Sequence, residues 1–268
     1  MNTTSSEAQN RPVQQSEPPS KLPQVTLLFW IMKIAATTLG ETAGDLMSMT
    51  LKVGYAASSL ILISFFLVTV VAQLRASRYY PALYWTVILA TSTAGTTMSD
   101  YMDRSLGLGY AKGSLLLVSI LAAVFTFWRY SASSFSVQNI HSRKVEMLYW
   151  TAILFSNTLG TALGDFLADS SGLGFAGGAL LIGSCLAVTV IVAFTTPVSK
   201  TLLFWIAFVL TRPFGATMGD VLTKPHARGG LGFGTVGSSA ILGGVLVALV
   251  IYSTVKQPAP VSASAKQA

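Results

Sequence analysis

Asp45, Asp100, Asp165 and Asp220 each lie fifteen residues after a tryptophan (Trp30, Trp85, Trp150, Trp205) and directly after a small residue. A carboxylate in the middle of a membrane span costs roughly 2.5–3.5 kcal/mol, and such groups mark ion paths, proton sites or paired charges. In the first copy Glu41 precedes Asp45 by four residues, which places both acids on one helix face. Lys33 and Arg212 stand eight residues before Glu41 and Asp220 respectively, and Pro213 follows Arg212. The pattern predicts that Glu41, Asp45, Asp100, Asp165 and Asp220 line a shared polar interior as ligands for a metal cation or as proton sites. Lys33 and Arg212 would be the counter-charges. Five acids against two bases leave negative charge over, which favours a cationic ligand.

Oxygen donors of this kind suit Mg²⁺, Ca²⁺ or Mn²⁺, whereas zinc and copper recruit His or Cys. The histidines, His141 and His226, fall in loops, and Cys185 is the one cysteine, so no disulfide forms within the chain. Met47, Met98 and Met218 flank the aspartates closely enough to soften a site, or fill the core around it. The competing structural role for each Asp is to cap its turn or the next helix.

The elements that carry these residues are set by an internal repeat. The stretches Trp30–Asp45, Trp85–Asp100, Trp150–Asp165 and Trp205–Asp220 share an aromatic residue before the Trp, a Gly ten after it and a small residue fourteen after it. Small residues at this i, i+4 spacing let a neighbouring backbone approach. Gly40, Gly44, Gly95, Gly160, Gly164, Gly215 and Gly219 are therefore read as packing and hinge positions, met by Ser58–Ser59, Gly113–Ser114, Gly177–Gly178 and Gly237–Ser238 on the intervening helices. The aromatic pairs Phe29–Trp30, Tyr84–Trp85, Tyr149–Trp150 and Phe204–Trp205 have the character of membrane-interface anchors.

Only 10 % of the 268 residues are charged and 52 % are hydrophobic, against roughly a quarter charged in a soluble domain. That excludes a soluble globular domain and argues against nucleic acid as the partner of the +7 net charge. The fold class expected is an all-α integral membrane protein in the lipid bilayer. Apolar segments of spanning length fall at 24–47, 55–74, 81–101, 109–129, 146–167, 174–194, 200–221 and 234–254. They make eight transmembrane helices, arranged as four parallel helical-hairpin repeats over 23–75, 79–130, 144–195 and 199–254. Residues 1–22 and 255–268 read as disordered tails around a transmembrane domain, 23–254. A Gly-aromatic pair opens each even segment, and the fourth copy carries three extra residues within KPHARGG. The longer connection near the chain's middle favours two pseudo-twofold halves over fourfold closure. Counting Lys and Arg, ten lie on the side of the tails and five (Lys52, Arg104, Lys112, Lys224, Arg228) on the other. The positive-inside rule then places both termini in the cytoplasm.

The Trp, Gly and Asp pattern resembles a family of bacterial membrane proteins described as a repeat of unknown function and often labelled uncharacterised membrane-anchored proteins. It covers about 230 residues and implies an eight-span protein of the inner membrane, without implying an activity. Glu41-Thr42-Ala43-Gly44-Asp45 is also similar to the acid, small residue and Gly-Asp of manganese and calcium/proton exporters. One extra residue separates Glu from Gly-Asp here, and the other copies lack the Glu.

No phosphate-binding loop, nucleophile–base pair or clustered metal-ligand histidine spacing is present, so neither an enzyme nor a bound cofactor is expected. The functional expectation is a transporter exporting a divalent cation such as Mn²⁺, a small cation being its ligand and a homo-oligomer one possible assembly. The alternatives are a transporter of an organic cation or small polar metabolite, using aromatic faces, and a scaffold for another membrane complex.

Overall fold

A computed structural model describes residues 21–131 and 142–256; most of both tails, and His141, lie outside the described residues. Among them there is no strand. The helices are α1 (Leu27–Asp45), α2 (Tyr55–Arg75), α3 (Pro81–Asp100), α4 (Tyr110–Ser131), α5 (Arg143–Asp165), α6 (Gly174–Thr195), α7 (Lys200–Thr223) and α8 (Gly234–Val255). α1, α5 and α7 start at a Thr26, Ser142 or Ser199 hydroxyl that accepts from a backbone amide of the first turn. α3 starts with Pro81, whose missing amide hydrogen costs nothing there. In the first three copies the odd helix runs past its Asp into a single π turn: Leu46–Thr50, Tyr101–Ser105 and Phe166–Ser170. The fourth copy replaces that turn with a loop and a short 3₁₀ turn, His226–Arg228.

Two left-handed residues two apart then reverse the chain. They are Lys52 and Gly54, Gly107 and Gly109, Gly172 and Gly174, Gly232 and Gly234. In backbone terms the counterpart of Gly54 is therefore Gly234, not Gly232. The fourth connection is longer by five residues, two more than the Gly-aromatic pairs indicate.

The odd helices form an inner ring in which α1 packs on α3, α3 on α5, α5 on α7 and α7 back on α1. The ring thus closes with fourfold pseudo-symmetry, against the expected two halves. The even helices lie outside it, and their main packing is on the following repeat: α2 on α3, α4 on α5, α6 on α7, α8 on α1. Each repeat is a hairpin in its connectivity, but its two helices do not form a self-contained packed pair.

The seam glycines account for the closeness of the ring. A methyl on Gly95 would stand 2.9 Å from the backbone of Asn157 and Thr158, and one on Gly219 would stand 2.8 Å from the Glu41 Cβ. Gly40 meets Ser92, Gly44 meets Thr96, Gly160 meets Arg212 and Pro213, Gly164 meets Ala216, and Gly215 meets Thr37. The small residues thus face the next odd helix. The expectation that the even helices supply the matching surface is corrected, because those helices stand outside the seam.

Five helices, α2, α4, α6, α7 and α8, are long and apolar enough to cross a membrane. α1, α3 and α5 carry Thr, Ser, Asn and acids on buried faces, which lowers their average hydropathy; the exposed charges of α5, Arg143 and Lys144, stand in its first turn. The outer surface is apolar, with Leu60, Val68, Leu115, Leu180, Phe194 and Ile241 among its exposed residues.

Candidate functional site: a stack of layers on the ring axis

Because every odd helix has the same register, equivalent residues meet in layers four residues apart. The layer just before the tryptophans is aromatic. Phe29 packs on Trp85 (ring centroids 5.7 Å), Tyr84 on Trp150 (5.6 Å), Tyr149 on Trp205 (6.1 Å) and Phe204 on Trp30 (5.7 Å), a cycle in which each copy touches the next. Tyr84 and Tyr149 also share a hydrogen bond of 2.8 Å between their hydroxyls. Trp85 and Trp150 are almost completely buried. The interface-anchor reading is corrected for Phe29, Tyr84, Trp85, Tyr149, Trp150 and Trp205, which are buried and close the inner bundle; Trp30 and Phe204 are half-buried. The Lys21 ammonium braces this end, donating to Glu146 Oε2 at 3.1 Å and to the Leu74 carbonyl.

Three residues after the tryptophans come Lys33, Ile88, Ile153 and Phe208, all fully buried. Lys33 makes no ion pair among the described residues; its Nζ lies 3.9 Å from the centroid of the Phe208 ring. A cation over an aromatic face gains about 2 kcal/mol when desolvated. The expected role of Lys33 as counter-charge to an acid is thus not what the geometry displays.

The next layer holds Thr37, Ser92, Asn157 and Arg212, and the one above it Glu41, Thr96, Thr161 and Ala216. Arg212 fills the axis between them. Its Nη1 donates to Glu41 Oε2 at 3.1 Å and to the Thr37 carbonyl, and its Nη2 donates to the Ser92 carbonyl and to the hydroxyls of Thr161 and Thr96. Thr96 and Thr161 in turn each donate to Glu41 Oε2 at 3.1 Å. One guanidinium from the fourth copy is therefore held by the other three. A buried ion pair this well hydrogen-bonded offsets the several kcal/mol that removing each charge from water costs.

The four aspartates form the last helical layer, all buried. The structure divides them into two pairs, each bridged by a base from beyond the apolar segment that carries the Asp. The Lys224 Nζ lies 3.1 Å from Asp45 Oδ2 and 3.0 Å from Asp220 Oδ1. Arg104 lies 3.0 Å from Asp100 Oδ1 through Nε and 3.1 Å from Asp165 Oδ2 through Nη2. Burial alone would lower the Lys224 ammonium, but Asp220 and Asp45 beside it outweigh this and hold its pKa above the usual lysine value. Arg104 is held up in the same way by Asp100 and Asp165. With these two bases the axis carries four cations against five acids, so the expected negative surplus shrinks to one charge. The signal was present: Arg104 and Lys224 stand four residues after Asp100 and Asp220, the spacing of a same-face pair.

Of the predicted ligands, Glu41, Asp45 and Asp220 come together, with one carboxylate oxygen from each within 4.8 Å of the others. Asp100 and Asp165 complete the ring across from them. Above the layer opens a mouth of about 240 Å³, lined by Met49, Arg104, Asp165, Asp169, Asp220 and Lys224 among others. Met49, Arg104, Asp169 and Lys224 are the equivalent residues of the four copies, nineteen after each tryptophan. Met47, Met98 and Met218 do not line the mouth.

A closed ring of four repeated helices with polar groups stacked along its axis defines an all-α repeat protein organised around a central polar core. The profile of the family described as Repeat of Unknown Function (DUF347) matches residues 28–79, 83–134, 148–198 and 203–258, and the chain belongs to that family. Comparison with curated proteins and with solved structures gave no match.

Proposed function

We propose that this chain is an eight-span membrane protein that exports a small divalent cation along the axis of its inner ring. Lipid would meet the apolar outer faces of the even helices, while the polar stripes of α1, α3 and α5 turn to the axis, which makes them spans despite their composition. The excess of Lys and Arg on the aromatic side supports a cytoplasmic position for both termini, in the inner membrane of a bacterium. The observation that carries the cation reading is the convergence of the Glu41, Asp45 and Asp220 oxygens within 4.8 Å, beside a mouth. Hard divalent cations take such oxygen ligands. An organic cation would want a free aromatic face, but at the mouth Tyr110 lies under the Arg104 guanidinium and Phe175 is buried. The rings at the other end are stacked on one another and the Phe208 face carries Lys33, so the inorganic cargo is favoured.

In the arrangement described, Arg212 blocks the axis and the aromatic layer closes it beyond. Passage therefore requires Arg212 to leave Glu41, and the two conformations that result would be the two access states. The test is total elemental analysis of cells with and without the protein. Loss of the protein is expected to raise cell content of one divalent metal, and Asp45→Asn to reproduce the loss. Metal contents that stay unchanged across the whole divalent series would refute transport of this class.

A further inference from the structure

We propose that Lys224 is a tethered competitor for the cation: its ammonium occupies the position between Asp45 and Asp220 that an arriving cation takes, and displacing it sets the affinity and selectivity of the site. The inference rests on the cation reading above and deepens it.

Three observations support it. First, the Nζ bridges two carboxylates on neighbouring helices at 3.1 and 3.0 Å, and those two belong to the three-acid cluster with Glu41. A primary ammonium presents one charge to surrounding oxygens, as a bound cation does. Second, Lys224 is placed to leave. It caps α7 at the start of the long fourth connection, the one copy without a π turn, and its side chain is 18 % exposed towards the mouth. Third, the buried layer keeps an acceptor that no hydrogen bond satisfies. Among the described residues Asp100 Oδ2 accepts none, and Arg104 reaches that residue only through Oδ1. A buried carboxylate oxygen left in this state is costly, and it lies in the layer of four aspartates to which Asp45 and Asp220 belong. Arg104 holds the same register as Lys224 in copy two, but it bridges the other pair, Asp100 and Asp165. Copies one and three place Met49 and Asp169 at the same register, so the two lysine-facing carboxylates have a single resident cation between them.

A monovalent ion brings no more charge than the lysine it must expel, whereas a divalent ion brings twice as much. The tether therefore discriminates by charge. It also reseals the site once the ion has left, sparing the membrane an exposed pair of carboxylates.

The experiment is calorimetric titration of Mn²⁺ into the purified full-length protein in detergent, at one pH and ionic strength. Lys224→Gln is expected to tighten Mn²⁺ binding by about tenfold or more, since an opposing charge in direct contact with two carboxylates is removed. Arg228→Gln removes the same charge from the rim, where solvent screens it, and should change the affinity by less than about twofold. Met49→Lys adds a second ammonium at the equivalent register and should weaken binding. It is read independently if Lys224→Gln does not run as a single species on gel filtration. Wild-type binding left unaltered by both Lys224→Gln and Met49→Lys would overturn the competitor while leaving the cation site standing. Equal tightening by Arg228→Gln and Lys224→Gln would overturn it too, reducing the effect to net charge. Absence of Mn²⁺ binding in the wild type and in every variant would remove the cation reading itself, and the competitor with it.

Discussion

The two ends of the inner ring share a backbone and differ in how far they keep its symmetry. At the aromatic end the same contact is made four times, from Phe29 to Trp85 round to Phe204 and Trp30, with centroid separations between 5.6 and 6.1 Å. At the carboxylate end the four aspartates occupy equivalent positions, yet Lys224 and Arg104 divide them into two unlike pairs. Between the ends, Glu41 and Arg212 occur in one copy each and bond across the axis. Ring packing tolerates equal partners at every corner. Holding and releasing a charge requires groups of opposite sign, which identical copies do not supply. The repeat therefore stays uniform where it serves closure and diverges where it meets charge.

That contrast can be broken first at Arg212. Arg212→Met leaves Glu41 buried without its partner and is expected to cost about 3–5 kcal/mol in reversible denaturation of the detergent-solubilised protein. Combining it with Glu41→Gln should restore most of that loss. If the single substitution is as stable as the wild type, the axial ion pair does not hold the ring. A smaller effect is expected at the seam. Gly95→Ala places a methyl against the Asn157 backbone, which cannot swing aside as a side chain would, and should cost about 1–3 kcal/mol. Gly243→Ala, with nothing within 4 Å of the added atom, should leave the midpoint in place or raise it slightly, since alanine is the better helix former. Equal shifts at the two glycines would contradict the seam. The smallest effect belongs to the aromatic end. Tyr84→Phe removes the hydroxyl pair with Tyr149 but not the ring contacts, and a loss of about 1 kcal/mol is expected. A loss as large as that of Arg212→Met would mean that the aromatic end, too, depends on a polar bond.

Much of this architecture was legible in the chain. The four Trp-to-Asp spacings fix the register, and a shared register is sufficient to stack residues in layers. The segment boundaries fall within a few residues of the helices because apolar length and glycine turns mark both ends. Three features were hidden for physical reasons. A ring-closing aromatic layer and a membrane-interface belt have the same composition at the same helical level, so Trp85 and Trp150 do not announce which they form. Lys224 and Arg104 lie beyond the apolar runs, and hydropathy assigns them to solvent although their long side chains fold back over the preceding turn. The stagger of even helices onto the next repeat has no local signature, since Ser58 and Gly113 would suit either neighbour.

That stagger has a consequence for how the protein is made. Of these helices α1 emerges from the ribosome first, yet the helix that covers it, α8, emerges last, so the circle stays unsealed until the fourth repeat has been made. A chain stopped after the second repeat would present α1 without its cover and α4 without its support. Two such half-chains could satisfy each other by exchanging those helices. Co-expressing residues 1–141 with residues 142–268 should therefore rebuild the whole.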